Sequence, residues 1–188
     1  MSEPAAGAIA QAIPDGYTIR GLRADDAAAM AAAYVRNQAH LARWDPRRDE
    51  SFFTVEGQAA VVTQQLDAQE AGLVVPWVIA RGEEVVGRVN LNNVVRGVLR
   101  SASVGYWVDA DHLRRGLATA AVAHACHQAL RVGLHRVEAG TLLHNDASQR
   151  VLERCGFSEY GLAPRYLFID GAWQDHRLYQ RILHDDPI

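Results

Sequence analysis

Residues 17–23, YTIRGLR, alternate apolar and polar side chains, the period-two signature of a half-buried strand. The run 24–44 changes period. Its apolar positions recur every three to four residues, which predicts a helix with Asp25 as its cap, ended by Trp44-Asp45-Pro46. A second helical run covers 55–72 and closes at Gly72. Three strand patterns follow at 73–81, 84–94 and 101–110, the first two joined as a hairpin over Gly82-Glu83. Residues 116–132 predict a long helix. Val122, Cys126, Ala129 and Leu130 would face the core, with His124, His127, Gln128 and Arg131 on the opposite stripe and Gly133 just past its end. A strand at 135–142 leads into a short helix at 145–156, capped by Asn145 or Asp146, where Asp146 and Gln149 resemble a capping box. The segment 166–183 reads as a hairpin over Asp170-Gly171. Strands and helices interleave in one mixed α/β domain with a mainly antiparallel sheet, spanning 17–184 behind a flexible N-terminal tail of residues 1–16.

Composition narrows the function classes. With 188 residues the chain suits one domain. Its net charge of −3 supplies no general basic field for nucleic acid. All 19 non-histidine basic residues are arginine, as base bias in an alanine-rich chain would produce. The two cysteines, Cys126 and Cys155, form no metal-type cluster and fit a reducing compartment. The first residues lack a basic leader region, and no apolar run is long enough to span a bilayer. The expectation is a cytoplasmic protein.

The stretch HLRRGLATAAVAHACHQAL, 112–130, carries the strongest chemical signal. A helix start exposes unpaired N–H groups and about half a positive charge, an anion site before any side chain is added. Gly116 admits a bulky phosphate group close to the backbone, Ala118 and Thr119 keep the first turn open, and Arg114 and Arg115 add charge at the rim. Neither the GxxxxGK[ST] nor the GxGxxG pattern is present.

The order strand, LRRGLA turn, helix, strand resembles motif A of the GNAT N-acyltransferases, Q/R-x-x-G-x-G/A, with Leu113 at the place usually held by glutamine or arginine. HNDASQRVLERCGF (144–157), NQAHLARWDP (37–46) and YLFIDGAWQDH (166–176) are similar to segments of the RimJ/RimL branch, so the resemblance spans roughly 17–183. It implies a single GNAT-type α+β domain, with a twisted sheet of about six to seven strands flanked by about four helices. It also implies acetyl-CoA as cosubstrate, its pyrophosphate held by Leu113, Arg114, Arg115, Gly116, Leu117, Ala118 and Thr119. Backbone groups of Tyr106, Trp107 and Val108 would frame the thioester, Asn145 would bond the pantetheine arm, and Ser148 would hydrogen-bond the leaving sulfur. Arg150 and Arg154 are further phosphate candidates.

Acetyl transfer needs a neutral amine. Deprotonating a lysine at pH 7 costs about 4.6 kcal/mol, whereas an α-amine costs only about 1 kcal/mol and needs a weak base. Glu138 is the first candidate base, with Asp170, Asp175, His176 and His144 behind it. Tyr34, Asn37 and Trp44 are candidates for the acceptor pocket, joined there by Asp170 and His176. His124 and His127 lack a third ligand, so no metal is expected. The leading expectation is acetylation of a protein or peptide N-terminal amine. A small amine acceptor, such as an antibiotic or aminoacyl-nucleotide, and a non-catalytic acyl-CoA-binding module are the alternatives. The oligomeric state stays open, a homodimer included.

Overall fold

A computed structural model of the chain describes residues 10–187. Its eight strands are β1 (Gln11–Ile13), β2 (Tyr17–Gly21), β3 (Val75–Arg81), β4 (Glu84–Val95), β5 (Ser101–Val108), β6 (Arg136–Leu142), β7 (Ser158–Ile169) and β8 (Ala172–Ile182). Four α-helices are described: α1 (Ala27–Leu41), α2 (Val55–Glu70), α3 (Leu117–Arg131) and α4 (Asp146–Arg154). The strands form one sheet in the order β1-β2-β3-β4-β5-β6-β8-β7. Every pairing is antiparallel except β5 with β6.

The sheet thus has more strands than the patterning suggested. Gln11–Ile13 falls in the segment expected to be a flexible tail, yet it pairs with Tyr17–Ile19. Three residues are too few for a periodicity to register. Residues 1–9 of that segment lie outside the described residues. The last hairpin also starts earlier, because β7 begins at Ser158. Its tip is the expected Asp170-Gly171 turn, with φ of 51° and 76°, as a two-residue type I′ connection requires.

Both faces of the sheet are covered. On one, Leu117, Ala121, Val122, Ala125 and Ala129 of α3 pack on Val104 and Val108 of β5 and Val137 of β6. The small alanines let this helix lie close to the strands. On the other face, Met30, Ala33 and Tyr34 of α1 and Val62 of α2 pack on Val78 and Val85. No helix among the described residues is long and apolar enough to cross a membrane.

Two expectations for the helices need correction. Asp25 does not cap the first helix. Asp26 instead accepts from the Arg23 amide at 2.8 Å and pairs with both terminal guanidinium nitrogens of Arg20, at 2.8 and 2.7 Å. The supposed polar stripe of α3 is half core: His124 and Gln128 are buried, while Leu130 is exposed. Strand β1 and Trp77 explain this. His124 Nδ1 donates to Gln11 Oε1 at 2.7 Å, and the ring stands edge-on to Trp77 at 5.3 Å. Burial pushes the His124 pKa down to about 4, so the ring is neutral.

Candidate active site

The parallel pair β5/β6 is joined only where Ser101–Ser103 meet Arg136–Glu138. Beyond that point β5 runs on to Val108, pairing only with β4, and β6 runs on to Leu142, pairing only with β8. The two strands diverge and leave a wedge in the middle of the sheet. Backbone polar groups facing that wedge have no ladder partner, so it is suited to a ligand that can hydrogen-bond along its length.

The wide end of the wedge opens onto the 112–119 turn. Arg114 has φ of 61° and Gly116 of 75°, so two left-handed residues two apart curl the chain around its own amides. The first backbone bond of α3 runs from the Ala120 amide to the Gly116 carbonyl at 2.9 Å. The amides of Gly116, Leu117, Ala118 and Thr119 therefore point outward without an internal acceptor. Gly116 meets the conformational demand, and no atom lies within 4 Å of where its Cβ would be.

A cavity of about 360 Å³ joins this cradle to the wedge. Tyr106, Trp107 and Val108 form its β5 wall, and Leu113, Arg114, Gly116, Leu117, Ala118 and Thr119 form its phosphate-sized end. Asn145, Ser148 and Arg154 line the far side, while Arg115 and Arg150 do not line it. Asn145 Oδ1 caps α4 by accepting the Ser148 amide at 3.1 Å. The Ser148 hydroxyl lies 2.7 Å from the Tyr106 hydroxyl. Burial pushes the Tyr106 pKa up to about 12, so it stays protonated as a donor.

A second cavity, about 750 Å³, lies on the α1/α2 side. Tyr34, Phe52, Phe53, Phe168 and Asp170 line it, with Arg47, Arg48 and Glu50 at its rim. Tyr34 accepts from Trp107 Nε1 at 3.2 Å and packs edge-on against Phe52, which stiffens the shared wall. Leu41 and Asp45 border both cavities.

Other residues singled out from the sequence sit elsewhere. Asn37 is fully buried and lines none of these cavities. It donates to Asp109 Oδ2 at 2.7 Å and accepts the Ala110 amide at 2.9 Å, tying α1 to the end of β5. Trp44 lines the smaller cavity instead of the larger, its ring tilted against that of His144 at 5.6 Å. His176 is buried beside Tyr166, and Asp175 accepts the Arg165 amide at 2.8 Å within the hairpin.

Glu138 is held away from the cradle. Its carboxylate pairs with Arg136 at 2.5 Å, accepts from the Tyr160 hydroxyl at 2.6 Å, and borders a separate cavity of about 230 Å³. Strand alternation is the reason. Val137 and Ala139 turn to the α3 side, which sends Glu138 to the opposite face. Glu138→Gln is expected to change kcat/KM by less than about fivefold, the scale of a partly exposed ion pair. Steady-state kinetics on the variant checks this, and a hundredfold loss would return Glu138 to the chemistry.

Sequence reasoning missed His40, Asp45 and His112 at the smaller cavity and Phe52 and Phe53 at the larger. For Asp45, Phe52 and Phe53 the signal was the dense mixture of charge and aromatics in WDPRRDESFF, which had no periodicity to place it, while His40 and His112 adjoin motif residues without belonging to their patterns.

Residues 17–158 match the family described as Acetyltransferase (GNAT) domain. The chain belongs to this family. Among curated relatives, it is 32% identical over 167 residues to the [ribosomal protein uS5]-alanine N-acetyltransferase of Escherichia coli (strain K12), covering 87% of this chain and 86% of that one. Among solved structures, the ribosomal-protein-S5-alanine acetyltransferase of Vibrio fischeri superposes with a TM-score of 0.90 at 31% identity, over 95% of this chain and 100% of that one. Mycobacterium smegmatis RimJ in complex with CoA-disulfide gives a TM-score of 0.85 at 36% identity, over 88% and 81% of the two chains. The wedge, the cradle and the α4 cap are thus parts of a GNAT acetyltransferase fold, and the single α+β domain expected from the sequence is present.

Proposed function

We propose that this protein is an acetyl-CoA-dependent N-acetyltransferase whose acceptor is the N-terminal α-amine of a protein, of the ribosomal-protein-alanine kind. The observation that carries the reading is the continuous cavity from the unpaired amides of Gly116–Thr119 into the β5/β6 wedge. Its shape suits a pyrophosphate at one end and an extended, hydrogen-bonding arm along the strand edge. The relatives that act on ribosomal-protein alanine, and the related structure holding a CoA disulfide, support the same assignment.

In this reading acetyl-CoA brings an activated thioester, and the protein positions it. The amides of Gly116–Thr119 and the Arg114 guanidinium hold the phosphates. The exposed edge of Tyr106–Val108 orients the acyl group. Ser148 donates to the sulfur as the C–S bond breaks, and Tyr106, protonated and 2.7 Å away, donates in turn to Ser148. A hydroxyl alone is a weak acid, so a two-donor chain stabilises the developing thiolate better than one.

Thiol release from acetyl-CoA is expected with peptides beginning with Ala or Ser, and to vanish when their N-terminus is already acetylated. Release only with small amines would move the acceptor to that class, and CoA binding without turnover would favour a binding module. Ser148→Ala is expected to lower kcat about 10- to 100-fold with little change in the KM for acetyl-CoA, as for loss of a proton donor.

A further inference from the structure

We infer that Asp45 is the residue that binds the acceptor's ammonium group and takes its proton. This rests on the N-acetyltransferase reading above and deepens it.

Three observations converge on this side chain. Asp45 borders both the smaller cavity, which carries the phosphate cradle, and the larger one on the α1/α2 side. Of the two residues that do so, Leu41 is apolar, so Asp45 supplies the only ionisable group among the described residues common to both. Its backbone is held, the amide donating to the Leu41 carbonyl at 3.0 Å as the chain leaves α1. Its carboxylate, by contrast, has no hydrogen-bond or ion-pair partner among the described residues. The other partly or fully buried aspartates are all engaged: Asp26 by Arg20, Asp109 by Arg36 and Asn37, Asp175 by the Arg165 amide.

A partly buried, unpaired carboxylate is costly unless something arrives to pair with it. An ammonium entering from the larger cavity meets that need on the border with the cavity that carries the phosphate cradle. Burial holds the Asp45 carboxyl above the usual carboxylate range, against the pull of Arg48 and Arg88. The raised pKa makes it a better proton acceptor than an exposed aspartate.

The step balances without further reagents. The acceptor ammonium gives one proton to the Asp45 carboxylate. The freed amine attacks the thioester carbonyl carbon, the N–C bond forms, and the C–S bond breaks with its electron pair on sulfur. The nitrogen loses its second proton, the sulfur gains one, and Asp45 releases its proton to solvent. The products are the amide, the free thiol and one proton.

The test uses the full chain saturated with CoA and two Ala-initiated peptides of one sequence, one with a free and one with an acetylated N-terminus, titrated by calorimetry. The wild type is expected to bind the free peptide about 10- to 100-fold more tightly, the range of a charge-assisted contact. Asp45→Asn, near-isosteric and uncharged, is expected to abolish that preference while keeping the wild-type CoA affinity. Equal binding of the two peptides by the wild type overturns the inference, as does a preference that Asp45→Asn retains. Turnover separates the two levels: peptide acetylation by the wild type that survives in Asp45→Asn within about threefold leaves the N-acetyltransferase reading standing and removes Asp45 from it.

Discussion

Asp109→Ala is expected to destabilise the fold by about 3–5 kcal/mol, the usual cost of removing one partner from a buried ionic network. That corresponds to a fall in Tm of roughly 6–20 °C for a chain of this size. The Asp109 side chain is almost fully buried at the end of β5 and accepts from Arg36 Nε and Asn37 Nδ2, each at 2.7 Å, and from the Asp111 amide at 2.9 Å. Removing it takes the acceptor from the Asp111 amide and one bond each from Arg36, which keeps Glu84 and the Val85 carbonyl, and from Asn37, which keeps the Ala33 carbonyl. Burial alone would push the Asp109 pKa up, but the bonds from Asn37, the Asp111 amide and Arg36 outweigh it and hold the carboxyl below the ordinary value. A depressed folded-state pKa contributes stability above the unfolded-state value near 3.9 and loses it as the pH falls through the folded value. Thermal melts between pH 3 and 7 should therefore show the wild type losing stability in acid, with a shallower loss in Asp109→Asn. A Tm change below about 2 °C in Asp109→Ala would mean the network is not holding the fold. Because Asp109 also anchors the approach to the 112–119 turn, the alanine variant should raise the KM for acetyl-CoA as well.

The second large effect is expected at the cradle. Gly116→Asp should weaken CoA binding about 100-fold while leaving the protein folded. Aspartate tolerates the left-handed backbone better than most residues, and the space beside Gly116 is open, so the substitution adds little strain. What it adds is a negative charge beside a pyrophosphate. At about 5 Å and an effective dielectric near 20, each pair of like charges costs roughly 3 kcal/mol before salt screening. Gly116→Ala is the control. It introduces only backbone strain, about 1 kcal/mol, and should change CoA affinity by no more than about tenfold. Calorimetric titration of CoA into the three proteins decides it. Equal loss in both variants would show that strain rather than charge governs the site, and no loss in either would place the pyrophosphate elsewhere.

Elements with strong local signals were legible along the chain. Alanine-rich periodicity marked α3, Gly133 marked its end, Asn145 or Asp146 the cap of α4, which is Asn145, and Asp170-Gly171 the last turn. These depend on contacts within a few residues, and such contacts are written in the order of the chain. The cradle belongs to the same class: a helix start and a glycine suffice to expose its amides. The side chains deciding the rest of the site were read less well, for definite reasons. Glu138 is one residue from strand positions facing α3, and period-two alternation turned it to the other face. Asn37 shares a helix with Tyr34, but the buried carboxylate of Asp109 claimed it.

What the sequence determined by itself was therefore most of the elements, a helix start at Gly116 with exposed amides, and membership of the GNAT family, through ordered local motifs. What only the tertiary structure decided was how those parts meet. The divergence of β5 from β6 depends on β4 and β8 holding the two strands from either side. The pairing of Tyr106 with Ser148 joins residues 42 apart. The placement of Asp45 where two cavities meet depends on how the end of α1 crosses the sheet. Each is a long-range arrangement fixed by packing, and no periodicity within a strand or helix carries that information.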